Sequence, residues 1–501
     1  MRNFCLLVLL LIQVTLQAQK MPDPRPYANQ IIEENLKKDL YVIASKNFEG
    51  RETATEGQRK AAAFIEDYFK KIGLAPGNKD SFQLYYPVFQ DSLIGAGINI
   101  NGQSFQSSED FSVIPNYNYS ATLFGAEVIF AGYGITDSTR DDYQGLNVRG
   151  KIVLVLDGTP GDRLQSQIRR RAFNPYGKQD AAQNNGAVAL LIIQNNFPRK
   201  SNNYNRGNMY LNGFNKVIRP NTFYVSEKIA TAIMGTDYRG KDNVQPQPKP
   251  YSANLILRFI KETRQLQSSD VLGYLEGTDL KDQLVVLSAH YDHLGKRDSV
   301  IYYGADDDGS GTVSILEMAR SFAKAKAEGK GPRRSILFLA NSGEEKGLWG
   351  SAFYTDHPVY ELARTTVDLN IDMVGRIDPN RKNGDSTNYI YVVGDDKVSS
   401  DLKPISQEMN KKYSKLELDY KFNDPNDPEQ IYYRSDHYNF AKHGVPIIFF
   451  FDGIHNDYHK PSDTPDKINY DILAKRDRFI FNIAWEMANR NEMLKRDIPL
   501  K

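Results

Sequence analysis

The feature that most limits the possible folds is an alternation of short apolar segments with loops and helix-like segments after about residue 252. Apolar residues recur at helical spacing over 311–328 and near 469–493, and upstream over 58–72, where Gly73 ends the pattern. Strands that alternate with helices are typical of an α/β sheet covered by helices. The pattern predicts a three-layer α/β domain with a mostly parallel, mixed central sheet. Four apolar segments are its predicted strands: Leu284–Ala289, Ser335–Ala340, Val367–Ile371 and Val445–Phe451.

A different pattern occupies residues 118–250, where apolar segments alternate with turns rather than with helices. A chain of 501 residues is long enough for two or three domains. An Asn-rich stretch at 195–216 precedes a Pro- and Gln-rich run at 244–250, which we interpret as a linker. We therefore predict a β-rich domain at 118–250 that interrupts a larger domain built from 21–117 and 251–501. The predicted strands of this insert are Glu127–Phe130, Lys151–Leu156 and Val188–Ile193.

The first 19 residues have the pattern of a secretory signal peptide. Arg2 provides the charged start, an apolar run covers 5–12, and Ala18 offers a cleavage point. The run is shorter than the roughly 20 residues that a membrane-spanning helix needs. We therefore predict export to the periplasm or the medium, and the alternative is a retained N-terminal anchor.

Cysteine and charge content narrow the chemistry further. Cys5 is the one cysteine of the chain and lies inside the predicted signal, so the mature chain has no thiol ligand and no disulfide. Any metal must then be held by histidines and carboxylates. Without Arg2 the chain carries 62 basic and 62 acidic residues, which leaves no basic field for nucleic acid and no charged surface for a membrane.

All seven histidines lie between residues 290 and 459, and several side chains suited to metal binding follow predicted strands directly. In open α/β sheets, sites form at the carboxyl ends of the strands. The sequence therefore predicts a metal site at this edge of the sheet. The candidate positions are His290, the triplet Asp306–Asp308, the pair Glu344 and Glu345, Asp372, and the loop Ile454–His459.

Each candidate has a simpler explanation when taken alone. An acidic triplet such as Asp306–Asp308 is common in solvated turns and calcium loops, and a glutamate pair is common surface charge. Asp372 follows a strand with alternating faces and fits a polar face, while a lone histidine is often structural. The candidate side chains follow successive predicted strands, in order along the chain. This arrangement favours a metal site over the simpler explanations.

Five segments together resemble the family of co-catalytic zinc exopeptidases, which includes secreted bacterial aminopeptidases and glutamate carboxypeptidases. Residues 132–135, 148–154 and 186–188 of the insert resemble a protease-associated (PA) domain. Residues 48–51 resemble the N-terminal segment of the exopeptidases. The five segments are Ser288–Gly295, Gly304–Gly311, Gly343–Leu348, Asn370–Met373 and Tyr458–Thr464.

The resemblance implies a role for each matching side chain. Asp307 would bridge two zinc ions, and His290 and Asp372 would be the other protein ligands of the first ion. Glu345 and His459 would be the other protein ligands of the second ion. The remaining implied roles are Glu344 as the general base, Asp292 as the acceptor that orients His290 through its second N–H, and Tyr458 as the group that stabilises the oxyanion.

The charges of this set agree with the implied chemistry. Two Zn²⁺ ions bring +4, and Asp307, Glu345 and Asp372 bring −3, so one hydroxide completes a neutral site. Two metals can lower the pKa of a shared water and polarise a carbonyl. A carboxylate at Glu344 could take the proton of that water and pass it to the leaving amine.

The predicted function is a zinc-dependent exopeptidase acting on peptides, most consistent with an aminopeptidase. A carboxypeptidase of the same family would need cations for a terminal carboxylate, and Arg376, Arg434 and Lys442 could serve. Two further candidate functions are a glutaminyl cyclase, which uses one zinc, and a non-catalytic receptor-like binding protein.

The remaining histidines receive no metal-binding role. Asp436 and His437 are interpreted as pocket wall, with plain packing as the alternative. His293 and His455 are left unassigned, and His357 and His443 are expected to be surface or structural residues.

Overall fold

The computed structural model divides the chain into two units, one containing residues up to Tyr86 and from Ser268 onward, the other Pro87–Gln267. The predicted signal, with Arg2, Cys5 and Ala18, lies outside the described residues. The described residues are 21–116, 118–138, 140–160, 174–199, 205–212, 219–240 and 247–499.

The larger unit is built on a mixed sheet whose centre is parallel. Leu280–His290 lies between Arg334–Asn341 and Thr365–Ile371 and is parallel to both, and Ile447–Phe451 is parallel to the latter. The carboxyl ends of these four strands therefore share one edge. The full order is Glu417–Asp419, Tyr389–Val393, Ile447–Phe451, Thr365–Ile371, Leu280–His290, Arg334–Asn341 and the end of Lys249–Leu275, with Ala75–Pro76 paired beside it.

Helices cover both faces of this sheet, as the predicted three layers require. On Leu280–His290, alternate residues Val285 and Leu287 join one buried cluster with helices Gly311–Ala327 and Tyr470–Asn489. The intervening Leu284 and Val286 pack with Tyr354 and Phe440 from helices on the opposite face. Strands buried on both sides explain the continuous apolar runs of the sequence. The helices are Arg25–Ala28, Glu33–Ile43, Glu56–Lys71, Gly311–Ala327, Trp349–Asp356, Leu402–Met409, His437–Lys442 and Tyr470–Asn489.

The predicted elements of this unit are confirmed with shifts of a few residues at their ends. The helix predicted over 58–72 spans Glu56–Lys71, and Gly73 follows it with a φ of +81°, which favours glycine. The strand predicted over Val445–Phe451 begins at Ile447. None of the helices in the described part of the chain has the length and apolar character that a membrane crossing requires.

The smaller unit contains a set of four parallel strands, Ala121–Phe130, Ile152–Leu156, Ala189–Ile193 and Asn221–Val225. These strands include all three that were predicted for the insert. Phe111–Val113 and the start of Lys249–Leu275 lie antiparallel at its sides. The remaining elements are strands Gln83–Ile100, Gln103–Phe105 and Arg206–Tyr210 and helices Pro175–Asn184 and Glu227–Met234.

The smaller unit is longer at both ends than the insert expected at 118–250. Two long strands explain the difference. Gln83–Ile100 pairs at its end with Gln103–Phe105, and Lys249–Leu275 pairs at its start with Ala121–Phe130. Of the predicted linker, residues 244–246 lie outside the described residues, and the rest leads directly into the second long strand.

Candidate metal centre

Five separate chain segments bring acidic and histidine side chains to the shared strand edge of the larger unit. His290 is the last residue of its strand, and Asp372 follows Thr365–Ile371 directly. Glu345 lies in the short turn Glu344–Lys346 after Arg334–Asn341. The other two segments are the turn Ala305–Ser310, with Asp307, and the loop after Ile447–Phe451, with His459.

The two carboxylate oxygens of Asp307 face two different groups of side chains. Oδ1 lies 3.2 Å from Nε2 of His290, which is itself 3.6 Å from Oδ1 of Asp372. Oδ2 lies 3.1 Å from Nε2 of His459, which is 3.2 Å from Oε2 of Glu345. One carboxylate is thus shared between two sets of nitrogen and oxygen donors.

The donor atoms fit two zinc ions. Ligands at about 2.0–2.2 Å from a tetrahedral zinc lie about 3.3–3.6 Å apart, close to the four separations above. Within the described residues, Nε2 of His290 and Oδ2 of Asp307 are buried without a hydrogen-bond partner. Buried polar atoms are rarely left unpaired, so these atoms are placed for a cation.

The carboxylate of Asp307 and the imidazoles beside it shift each other's pKa values in opposite directions. Burial would raise the pKa of Asp307, but the contacts with His290 and His459 hold it well below its usual range. Burial would lower the pKa of His459, yet Asp307 and Glu345 raise it to about 10. The carboxylates therefore create a site that attracts positive charge.

The three aspartates of the triplet have separate tasks. Asp308 accepts the N–H groups of His290 at 3.1 Å and Met373 at 3.2 Å, which ties together the ends of two strands. Asp306 accepts the N–H of Gly375 at 2.8 Å. Of the three aspartates, only Asp307 directs its carboxylate between the two donor sets. The outer two aspartates therefore act as supports for the loop.

The resemblance implied that Asp292 accepts the second N–H of the His290 ring, and the structure shows which oxygen of Asp292 lies near that ring. Nδ1 of His290 lies 3.1 Å from the main-chain oxygen of Asp292 and 3.6 Å from its carboxylate, which is too long for a hydrogen bond. The carboxylate instead accepts the hydroxyl of Thr53 at 2.7 Å and the N–H of Glu344 at 3.2 Å. Asp292 therefore orients His290 through its backbone and the Glu344 turn through its side chain.

Arg51 joins the N-terminal segment to the loops of the site. Its guanidinium is fully buried and donates to the main-chain oxygens of Ile43, Tyr291, Tyr303 and Gly304 at 2.7–3.0 Å. Tyr291 follows His290, and Gly304 precedes the Asp306–Asp308 triplet. One side chain thus fixes the relative position of two ligand-bearing loops.

We expect Arg51→Met to lower the free energy of unfolding by at least about 3 kcal/mol, because buried carbonyl groups lose a charged donor. Urea unfolding followed by circular dichroism measures the change. Arg59→Met is the matched control, since Arg59 forms a surface pair with Glu56 and each side chain is 58% exposed. Equal unfolding midpoints for the two variants would contradict the structural role of Arg51.

Glu344 lies beside the two donor sets. Unlike Glu345, it does not face Asp307 and His459. Its Oε2 is 3.8 Å from Nε2 of His290. Burial raises the pKa of Glu344 well above its usual value, and the charges of Glu345 and Asp372 add to the effect against the opposing charge of His290. A carboxylate with a raised pKa is suited to accepting and returning a proton.

A cleft of about 340 Å³, counting space open to solvent, lies against these acids. Asp307, Glu344 and Asp372 line one part of it, and apolar side chains line another. Tyr458 also lines the cleft and accepts a hydrogen bond from Arg434 at 3.2 Å. Burial and the carboxylates raise the pKa of Tyr458, so its hydroxyl keeps its proton and can donate it in a hydrogen bond. The apolar lining consists of Met373, Ile431, Phe449, Phe451 and Ile454.

Comparison with known families gives one match in each unit. Residues 270–484 match the family model of Peptidase family M28, and residues 119–226 match that of the PA domain. Residues 270–484 of the larger unit are therefore similar to a peptidase family M28 domain. The M28 match includes all eight residues that the sequence analysis singled out for the site.

Individual relatives and solved structures are also similar to this chain. The chain is 36% identical over 110 residues to a vacuolar membrane protease of Tuber melanosporum, a match that covers 21% of this chain and 11% of the relative. The chain thus spans about a tenth of the length of that relative. An aminopeptidase structure from Aneurinibacillus sp. strain AM-1 matches with a TM-score of 0.56 and 19% identity, over 95% of this chain and 99% of the other. The structure of BSAP, a zinc aminopeptidase from Bacillus subtilis, matches with a TM-score of 0.54 and 20% identity, over 94% and 99%.

Two residues that support the site were missed by sequence reasoning. Ser435 donates its hydroxyl to Oδ2 of Asp372 at 2.7 Å, and Arg51 ties the loops together. Ser435 is next to Asp436 in the sequence, which was the one available signal. Nothing in an isolated sequence shows that Arg51 is buried.

The remaining histidines have different surroundings. His437 is buried, stacks on Phe449 with ring centroids 4.7 Å apart and is not among the residues that line the cleft, so it packs beneath the wall. His455 lies 3.2 Å from Asp306, and His357 is exposed. His293 is fully buried beside Glu345.

Proposed function

We propose that the chain is a zinc-dependent exopeptidase, an aminopeptidase that removes N-terminal residues from peptides. The observation that carries the proposal is the sharing of Asp307 between two donor sets with Glu344 beside them. The M28 domain and the two aminopeptidases of similar fold support it.

In the proposed site, His290, Asp307 and Asp372 hold one zinc ion, and Asp307, Glu345 and His459 hold the second. When bound, the two ions would activate a water molecule and polarise the scissile carbonyl. Glu344 would accept the proton of the attacking water and deliver it to the leaving amine. Its backbone N–H is held by Asp292, which keeps the turn in place.

Tyr458 is proposed to stabilise the oxyanion that develops on the scissile carbonyl. Its ring stacks on His459 with centroids 3.8 Å apart, and its oxygen accepts a hydrogen bond from Arg434. A donor held by packing and by a cation needs little reorganisation when charge develops.

The cleft also suggests how a free N-terminus would be recognised. Asp372 lines the cleft and would offer a carboxylate oxygen to an α-ammonium group. Apolar residues such as Phe449 and Phe451 line the adjoining wall and would accept an apolar side chain. Charge next to an apolar wall favours cleavage at the amino end.

The carboxypeptidase alternative requires an available cation in the cleft. Arg376 forms an ion pair with Asp457 at 3.0 Å, and Lys442 is not among the residues that line the cleft. Arg434 does line the cleft, but its guanidinium donates a hydrogen bond to the hydroxyl oxygen of Tyr458. The aminopeptidase is therefore the better proposal. The five-residue donor set argues against a one-zinc cyclase, and the retained Glu344 argues against a receptor without activity.

We expect hydrolysis of leucine p-nitroanilide by the zinc-loaded protein and no hydrolysis after the α-amine of the same substrate is acetylated. The acetyl group removes the positive charge that the acids of the cleft would bind. Absorbance of released p-nitroaniline measures both rates. Cleavage of the blocked compound alone would overturn the aminopeptidase proposal, and zinc analysis of the same sample distinguishes two ions from one.

Export is a further part of the proposal. It is supported by the charged start, the apolar run and the small residue at position 18 in the N-terminal sequence.

A further inference from the structure

His293 lies at the second donor set although no metal-binding role was assigned to it. It follows the strand Leu280–His290 by three residues, and its side chain is fully buried. Nδ1 lies 2.7 Å from Oε1 of Glu345 and 3.8 Å from Oδ2 of Asp307. Both atoms are buried, and neither has a hydrogen-bond partner among the described residues.

The backbone packs closely against one side of the imidazole ring of His293. Gly304 packs against it, and a Cβ atom at this glycine would lie 2.4 Å from Cγ of the ring. Gly304 also has a φ of +55°, a conformation that favours glycine. Arg51 holds the carbonyl of Gly304 at 2.8 Å, so the wall behind the ring is fixed.

The distances from each histidine to the carboxylate oxygens indicate different roles for His293 and His459. The 3.1 Å and 3.2 Å separations of His459 are near those of two ligands on one tetrahedral ion. The 2.7 Å separation of Nδ1 of His293 from Oε1 is shorter than the separation of two ligands on one ion and is that of a direct contact between the imidazole and the carboxylate. The two oxygens of Glu345 therefore face different histidines.

We propose that His293 is the positioning residue of the second zinc site: it holds Oε1 of Glu345 so that Oε2 faces Asp307 and His459. The inference rests on the proposed function and extends it to the control of metal occupancy. Partners that orient metal ligands typically contribute 10–100-fold to metal affinity.

The test uses the full chain with His293→Leu and, as the conservative variant, His293→Gln. Zinc binding to the metal-free proteins is measured by competition with a chromophoric chelator, and bound zinc is counted by elemental analysis. We expect His293→Leu to bind the second zinc about 10–100-fold more weakly while the affinity of the first is unchanged. His293→Gln, whose amide can donate to Oε1, should recover part of the loss.

His357→Gln is the matched control, because His357 is exposed and lies outside the site. Circular dichroism checks that every variant is folded. Unchanged affinity for the second zinc in His293→Leu would overturn the proposal, as would equal weakening at both positions. X-ray absorption showing a zinc-bound Nδ1 of His293 would make it a ligand and would also overturn the positioning role.

The same titration separates this inference from the proposed function. If Asp307→Asn also retained two zinc ions, the proposed metal site itself would fail. If Asp307→Asn lost zinc and His293→Leu did not, only the role of His293 would fail.

Discussion

Replacement of Glu344 by glutamine is expected to lower kcat by about 10²–10⁴ with both zinc ions retained, the usual contribution of general-base catalysis. Glutamine keeps the size of the side chain but cannot accept a proton. The observed separations place Glu345, not Glu344, against His459, so zinc binding should persist. Stopped assays of peptide hydrolysis and elemental analysis on the same preparation measure the two quantities.

The control for Glu344→Gln is Glu361→Gln, a change at a side chain that is 72% exposed and paired with the nearby Arg364. It should leave kcat and zinc content unchanged. Full turnover in Glu344→Gln would show that another group accepts the proton. Loss of zinc together with turnover would instead place Glu344 among the ligands.

The second large effect is expected from Asp307→Asn, which removes charge from both donor sets at once. We expect zinc content below one ion per chain and peptide hydrolysis reduced to background. An amide is a weaker ligand than a carboxylate, and two Zn²⁺ ions would then meet only two carboxylates, those of Glu345 and Asp372. No other single substitution in the site affects both positions so directly.

Stability provides an independent measurement for Asp307→Asn. Zinc at about 100 times its dissociation constant should stabilise the wild-type fold by about 2.7 kcal/mol per site. The variant should lose most of this zinc-dependent gain, measured as the shift of its thermal unfolding midpoint with added zinc. Asp67→Asn on the exposed face of helix Glu56–Lys71 is the control. A zinc-dependent shift in Asp307→Asn equal to that of the control would exclude Asp307 as a shared ligand.

Much of the fold could be predicted because its signals are local. The strand Ile447–Phe451 is buried over its whole length and is an unbroken apolar run in the sequence, and helix Gly311–Ala327 has apolar residues at helical spacing. Domain ends were harder to place. The long strand Lys249–Leu275 contains many polar residues and contributes to both units, so no change in composition marks Gln267 as a boundary.

The candidate site was predictable to the extent that its residues follow strands or match the exopeptidase motifs. His290 and Asp372 come at strand ends, where parallel strands bring their termini together. The choice of Asp307 within its triplet depended on resemblance, because three adjacent aspartates look alike in a sequence. Their different directions follow from the turn Ala305–Ser310 and its contacts with Gly375 and Met373.

The sequence by itself determined the strand–helix alternation, the insertion of a second domain and the residue types available for metal binding. Those properties depend on side-chain polarity and spacing along the chain. The tertiary structure alone decided that Arg51 and His293 are buried at the site and that Asp292 orients His290 through its main-chain oxygen. Such contacts join residues far apart in sequence or depend on backbone direction, and neither can be read from the order of amino acids.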